Sequence, residues 1–124
     1  MNRILCLLAI FFAHSLATRA EPALELRNGD RVVFLGDTFI EREATDSFLE
    51  TRLTALNAHL SIKFRNLGWS ADTVLGTSRA SFDPPEKGFE RLKEHLAAIK
   101  PTVVFLSHGM SSSFEGADGL DGLN

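Results

Sequence analysis

Apolar positions along this chain change period several times, and each change marks an element. Val32 to Leu35 is an unbroken apolar run behind the turn Asn28-Gly29-Asp30, which predicts a buried strand over Arg31–Leu35. The run stops at Gly36-Asp37-Thr38, and a polar, helix-compatible segment follows. Leu49, Leu53, Leu56 and Leu60 fall on one face of a helix over Ser47–Leu60, with Ser47-Phe48-Leu49-Glu50 spaced as a capping box. Ser61–Arg65 alternates polar and apolar residues and reads as a second strand. Asn66 to Thr73 is small and polar, a loop. Beyond Pro84, Pro85 and Gly88, the spacing of Phe89, Leu92, Leu96 and Ile99 predicts a second helix, which Lys100-Pro101 stops. Thr102–Leu106 is a third, continuously apolar strand running into Ser107-His108-Gly109.

Strands alternating with helices predict an α/β fold with a parallel sheet covered on both faces. The expectation is a three-layer αβα arrangement holding about three strands and two main helices. No internal repeat is present, and residues 21–29 read as a linker into a domain over 30–124. The tail from Ser111 to Asn124 is rich in glycine (Gly116, Gly119, Gly122), with Phe114, Leu120 and Leu123 its only large apolar residues. That pattern predicts an interrupted, incomplete domain.

Residues 1–20 have the layout of a secretory signal peptide. Arg3 precedes the apolar run Ile4 to Phe12, and small residues follow at Ser15, Ala17 and Ala20. The run is short for a spanning helix, so a secreted or periplasmic chain cleaved after Ala17 or Ala20, with no stable membrane span, is expected. Cleavage would remove Arg3 and Arg19, leaving 16 acidic residues of the full chain against fewer than its 13 basic ones. Such a balance argues against a nucleic-acid partner. Cys6 is the single cysteine and lies in the signal segment, so neither a disulfide nor a thiol nucleophile is expected in the mature chain. No His, Asp and Glu cluster has ligand spacing, and neither a G-x-G-x-x-G nor a P-loop pattern occurs; no metal or other cofactor is expected.

Ligands of open α/β sheets sit beyond the carboxyl ends of the strands. Three segments converge there by topology: Gly36-Asp37-Thr38, Asn66-Leu67-Gly68 and Gly109-Met110-Ser111. They supply a hydroxyl, a glycine that can present its N–H closely and a further polar loop, which together suit acyl transfer. The plainer reading makes Thr38 a loop hydroxyl bonded to a backbone N–H and Gly68 a tight turn. By the same reasoning Trp69 is a loop-packing or pocket-wall aromatic, Asp72 a loop cap, His108 a loop residue, and His59 and His95 surface residues. Ser111-Ser112-Ser113 does not complete a nucleophile elbow.

Gly-Asp-Thr after the first strand, Asn-x-Gly-x-Ser-x-Asp-Thr after the second and Gly-x-Ser after the third resemble the SGNH (GDSL-type) hydrolases. The likeness covers roughly Asp30–Gly116. It implies a flavodoxin-like sheet and an exported hydrolase of acyl or acetyl esters, acting through a covalent acyl intermediate on a small-molecule or carbohydrate ester. By this resemblance Thr38 takes the nucleophile position. Thr38, Gly68 and Ser111 take the oxyanion-hole positions, and Asp37 and Asn66 hold the loops. Threonine stands where the family has serine, Ser111 stands where it has asparagine, and the family's Asp-x-x-His block has no match in the sequence. An inactive or incomplete hydrolase and a non-catalytic exported carbohydrate-binding or interaction module are thus both compatible with the residues.

Overall fold

The computed structural model describes residues 24–114. The predicted signal segment with Cys6, its cleavage positions and the glycine-rich tail beyond Phe114 lie outside the described residues. Three strands form one parallel sheet: β1 (Arg31–Gly36), β2 (Lys63–Gly68) and β3 (Val103–Ser107), in the order β2-β1-β3. Register runs from Arg31 opposite Lys63 to Gly36 opposite Gly68 on one side. On the other it runs from Val32 opposite Val103 to Gly36 opposite Ser107. This is the order expected for the first three strands of a flavodoxin-like sheet, whose crevice opens where the order reverses beside β1.

Central β1 is apolar from Val32 to Leu35 because both its faces are covered. Val32 and Phe34 pack with Ile40, Leu49, Leu53, Phe64 and Phe105, so α1 (Thr38–Asp46) and α2 (Phe48–Leu56) close that side. The Phe34 ring lies 5.9 Å from Phe64 and 5.5 Å from Phe105, a row of aromatic contacts across all three strands. Val33 and Leu35 pack with Leu67, Leu92, Leu96 and Ile99, so α3 (Pro85–Ile99) closes the other side. A short helix, α4 (Met110–Ser113), follows β3.

Several boundaries differ from the sequence expectation. β2 starts later and runs on through Asn66-Leu67-Gly68, because the ladder to Phe34, Leu35 and Gly36 holds those residues extended. Thr38–Asp46 is a helix of its own. It stops at Ser47, which adopts φ 52° and donates its N–H to the Glu43 carbonyl at 2.8 Å. The expected capping box does not form: the Ser47 side chain makes no cap bond, and the Glu43 carboxylate accepts the Leu49 N–H at 3.0 Å instead. α3 begins at Pro85, where the missing N–H is harmless, so Gly88 lies inside the helix. A Cβ there would sit 1.9 Å from the Gly76 carbonyl oxygen, so a glycine lets the preceding loop lie against the helix. Among the described residues no helix is long and apolar enough to cross a membrane.

Candidate functional site

The carboxyl ends of the three strands are laced together by hydrogen bonds that begin at Asp37. Its side chain is 2 % exposed. One carboxylate oxygen accepts the Phe39 N–H at 3.1 Å, capping α1; the other accepts the Met110 N–H at 3.0 Å. The Asp37 N–H in turn donates to the Ser107 carbonyl at 3.1 Å. One carboxylate therefore fixes the Thr38 turn against the entry to α4.

Asn66 ties the second strand end to the same turn. Its amide donates to the Ile40 carbonyl at 2.6 Å, and its side-chain oxygen accepts the Gly68 N–H at 2.7 Å. Gly68 is required sterically as well, since a Cβ would meet the Glu41 nitrogen at 2.2 Å and the Ile40 carbonyl carbon at 2.5 Å. The first turn of α1 rests directly on β2. The Thr38 hydroxyl oxygen accepts the Ala71 N–H at 2.9 Å, which latches the loop after β2 onto α1. The arrangement thus gathers Thr38, Gly68, Asp37 and Asn66 at one edge, and places Ser111 one residue beyond Met110 in α4.

A buried ion pair lies behind this edge. The Arg79 Nε bonds an Asp72 carboxylate oxygen at 2.5 Å, with side chains 4 % and 1 % exposed. Nη2 of Arg79 donates to the Leu67 carbonyl and, at 3.5 Å, to the Gly36 carbonyl. Gly36 O also accepts the Trp69 N–H at 3.1 Å, and the Trp69 ring lies 5.8 Å from the Arg79 guanidinium carbon. Asp72 is therefore the counter-ion of a guanidinium that bonds the last carbonyls of β1 and β2, rather than a simple loop cap. Arg79 was not singled out by the sequence: a lone arginine in Gly76-Thr77-Ser78-Arg79-Ala80 carries no periodicity, and arginine is rarely this buried. Its one legible hint is the Pro- and Gly-bounded segment that holds it close to Asp72.

His59 and His95 are not buried, and His108 is half-buried directly after β3. None of them bonds the Thr38 hydroxyl among the described residues, and no group of three His, Cys, Asp or Glu there could hold a metal ion. What the edge presents is a hydroxyl, a close-packed glycine and a fixed carboxylate, at the carboxyl ends of the strands where α/β sheets take ligands.

No family model matches the chain, and no curated protein matches it. Among solved structures it is similar to a gut microbial diltiazem-metabolizing enzyme, with 22% sequence identity and a TM-score of 0.55. The likeness covers 80% of this chain and 21% of that one, so the chain spans about a fifth of the length of that protein. At such identity the likeness speaks to fold, and the fold it supports is a partial α/β, flavodoxin-like sheet of three parallel strands flanked by helices.

Proposed function

We propose that the chain carries the nucleophile edge of an exported SGNH-type ester hydrolase, with Thr38 in the nucleophile position. The observation that supports this reading best is the bonding of Asp37 to both Phe39 and Met110, which joins the loops after β1 and β3 around Thr38. In the reaction, the Thr38 oxygen adds to an ester carbonyl while its proton passes to a base. The tetrahedral oxyanion is stabilised by backbone donors, the alcohol leaves with a proton, and water then releases the acid from the acyl-threonine. The resemblance assigns that base to an Asp-x-x-His block, for which this sequence has no match. Incubating the full chain with p-nitrophenyl acetate and digesting it for mass spectrometry tests the assignment. An acetyl group on the Thr38 peptide, absent in Thr38→Ala, is the expected result; equal labelling of both sinks the nucleophile assignment.

A second reading is favoured by two bonds. The Thr38 hydroxyl oxygen is engaged by Ala71 and the Gly68 N–H by Asn66, so both groups serve the fold as they stand. On this reading the edge is a carbohydrate-binding module that keeps the sheet without turnover. Thr38→Ser separates the two. Serine lacks the β-branch that stiffens χ1, so acetylation rises if the residue attacks; if it only latches the loop, neither labelling nor hydrolysis appears in either form.

A further inference from the structure

Beside the strand edge, on the α3 side of the sheet, is a cavity of about 260 Å³ lined by Trp69, Arg79, Ser81, Arg91 and His95. Its polar lining is unusual in one respect: every side chain in it can donate a hydrogen bond, and none is a carboxylate. The two nearby carboxylates are already taken, Asp72 by Arg79 and Asp83 by Arg91. Both guanidiniums are fixed before any ligand arrives. Arg79 is held through Nε and Nη2, while Arg91 donates to the Arg79 carbonyl at 2.8 Å, the Ala80 carbonyl at 3.0 Å and the Asp83 carboxylate. Nη1 of Arg79 has no partner among the described residues, and it belongs to a side chain that is 4 % exposed yet lines the cavity. The Trp69 indole, 43 % exposed, supplies a flat apolar wall.

From this combination we propose that the cavity is a binding site for a sugar-sized ligand bearing an oxyanion, a carboxylate or a sulfate. The oxyanion would sit on Arg79 Nη1, with Ser81 and His95 as further donors, and the ring would lie against Trp69. A planar fork suits an oxyanion, an indole face suits the apolar face of a pyranose, and guanidiniums held in advance lose little entropy on binding. A bond from a guanidinium to an oxyanion is charge-assisted and about twice as strong as one between neutral groups, so a neutral sugar gains less in this lining. The site does not depend on turnover at Thr38.

Trp69 is the chain's single tryptophan, so its fluorescence reports on this cavity directly. The full chain is titrated in parallel with glucuronate, glucose 6-sulfate, glucose and acetate. A saturable change with glucuronate or the sulfate, and none with glucose or acetate, is expected, and the stronger of the two names the oxyanion. Equal responses to glucose or to acetate, or no saturable response to either anionic sugar, overturn the proposal. Arg79→Lys should weaken binding at least tenfold. Because that variant also touches the buried pair, Ser81→Ala and His95→Ala are measured beside it. Each is expected to weaken binding about fivefold, the loss of one hydrogen bond, while His59→Ala leaves it unchanged. Unaltered affinity in both Ser81→Ala and His95→Ala removes the assigned donors and the proposal with them.

Discussion

At the residue scale, two positions concentrate the structural demand near the strand edge. Gly68 is fixed by the α1 backbone lying where a side chain would go, with the Glu41 nitrogen 2.2 Å from an added Cβ. Backbone cannot swing aside as a side chain can, so Gly68→Ala should lower stability by about 3 kcal/mol, the upper range for overpacking. Urea denaturation measures it, and a loss within experimental error would show that α1 shifts freely. The Asp72–Arg79 pair makes the opposite kind of demand. Removing one partner leaves an uncompensated buried charge, so Asp72→Ala should lower stability by about 3–5 kcal/mol. Replacing both, as Asp72→Leu with Arg79→Met, should recover much of that loss in the same denaturation assay. Recovery will be incomplete because the Leu67 and Gly36 carbonyls lose their donor. Of the remaining Asp72 oxygen, Oδ1 is buried without a hydrogen-bond partner among the described residues, which makes this carboxylate the costlier half of the pair to bury.

At the element scale, Asp37 links the start of α1 to the start of α4, 73 residues away. Asp37→Ala removes the acceptor for both Phe39 and Met110. The α1 cap alone is worth about 1 kcal/mol, and hydrogen exchange at Met110 should speed up more than exchange at Leu92 in the core. Equal acceleration at both would mean global loosening rather than release of α4. The strands and α3 were legible in the sequence because their apolar periodicity comes from burying one face or two, and Leu92, Leu96 and Ile99 do pack on β1. The break at Ser47 was not legible. A serine with glutamate three residues on has the spacing of an N-cap, yet here the residue closes α1 in a left-handed conformation, and the cap comes from Glu43, six residues before Leu49. Local spacing cannot register that swap. The positions of Thr38, Gly68 and Asp37 at one edge were legible through the strand ends that deliver them; the guanidinium behind them was not, because its partners are carbonyls, which every residue type supplies.

At the scale of the whole molecule, the amino-terminal edge of the sheet is joined by Asp30. Its carboxylate accepts the Arg27 N–H at 2.6 Å and the Thr102 hydroxyl at 2.8 Å, which hold its pKa below the ordinary value of 3.8. A lowered folded pKa means that this contribution is fully present above about pH 3.8 and is lost as pH falls through the folded value. Thermal melts across that range should fall more steeply for the wild type than for Asp30→Asn; parallel curves would remove Asp30 from the acid response. At the other margin, Val104 and Leu106 on β3 are exposed, Leu106 by 71%. They stand on the sheet face where α3 packs against Val33, Leu35 and Leu67. Leu106→Gln should leave stability within about 0.5 kcal/mol and reduce light scattering at high concentration, and unchanged scattering would show that this face does not drive association.

The placement of β1 between its two neighbours also sets a schedule for synthesis. β1 is the first of the described strands to be made, yet its second neighbour pairs across 71 residues, as the Arg31 and Thr102 contact marks. Until β3 has been made, Val32 and Val33, both 0% exposed in the finished sheet, belong to a strand with an open side. Parallel pairing of this range forms slowly and leaves apolar segments uncovered meanwhile. Of the three described strands β1 therefore waits longest for its full cover, and a holding chaperone that binds extended apolar segments would meet it before β2 or β3.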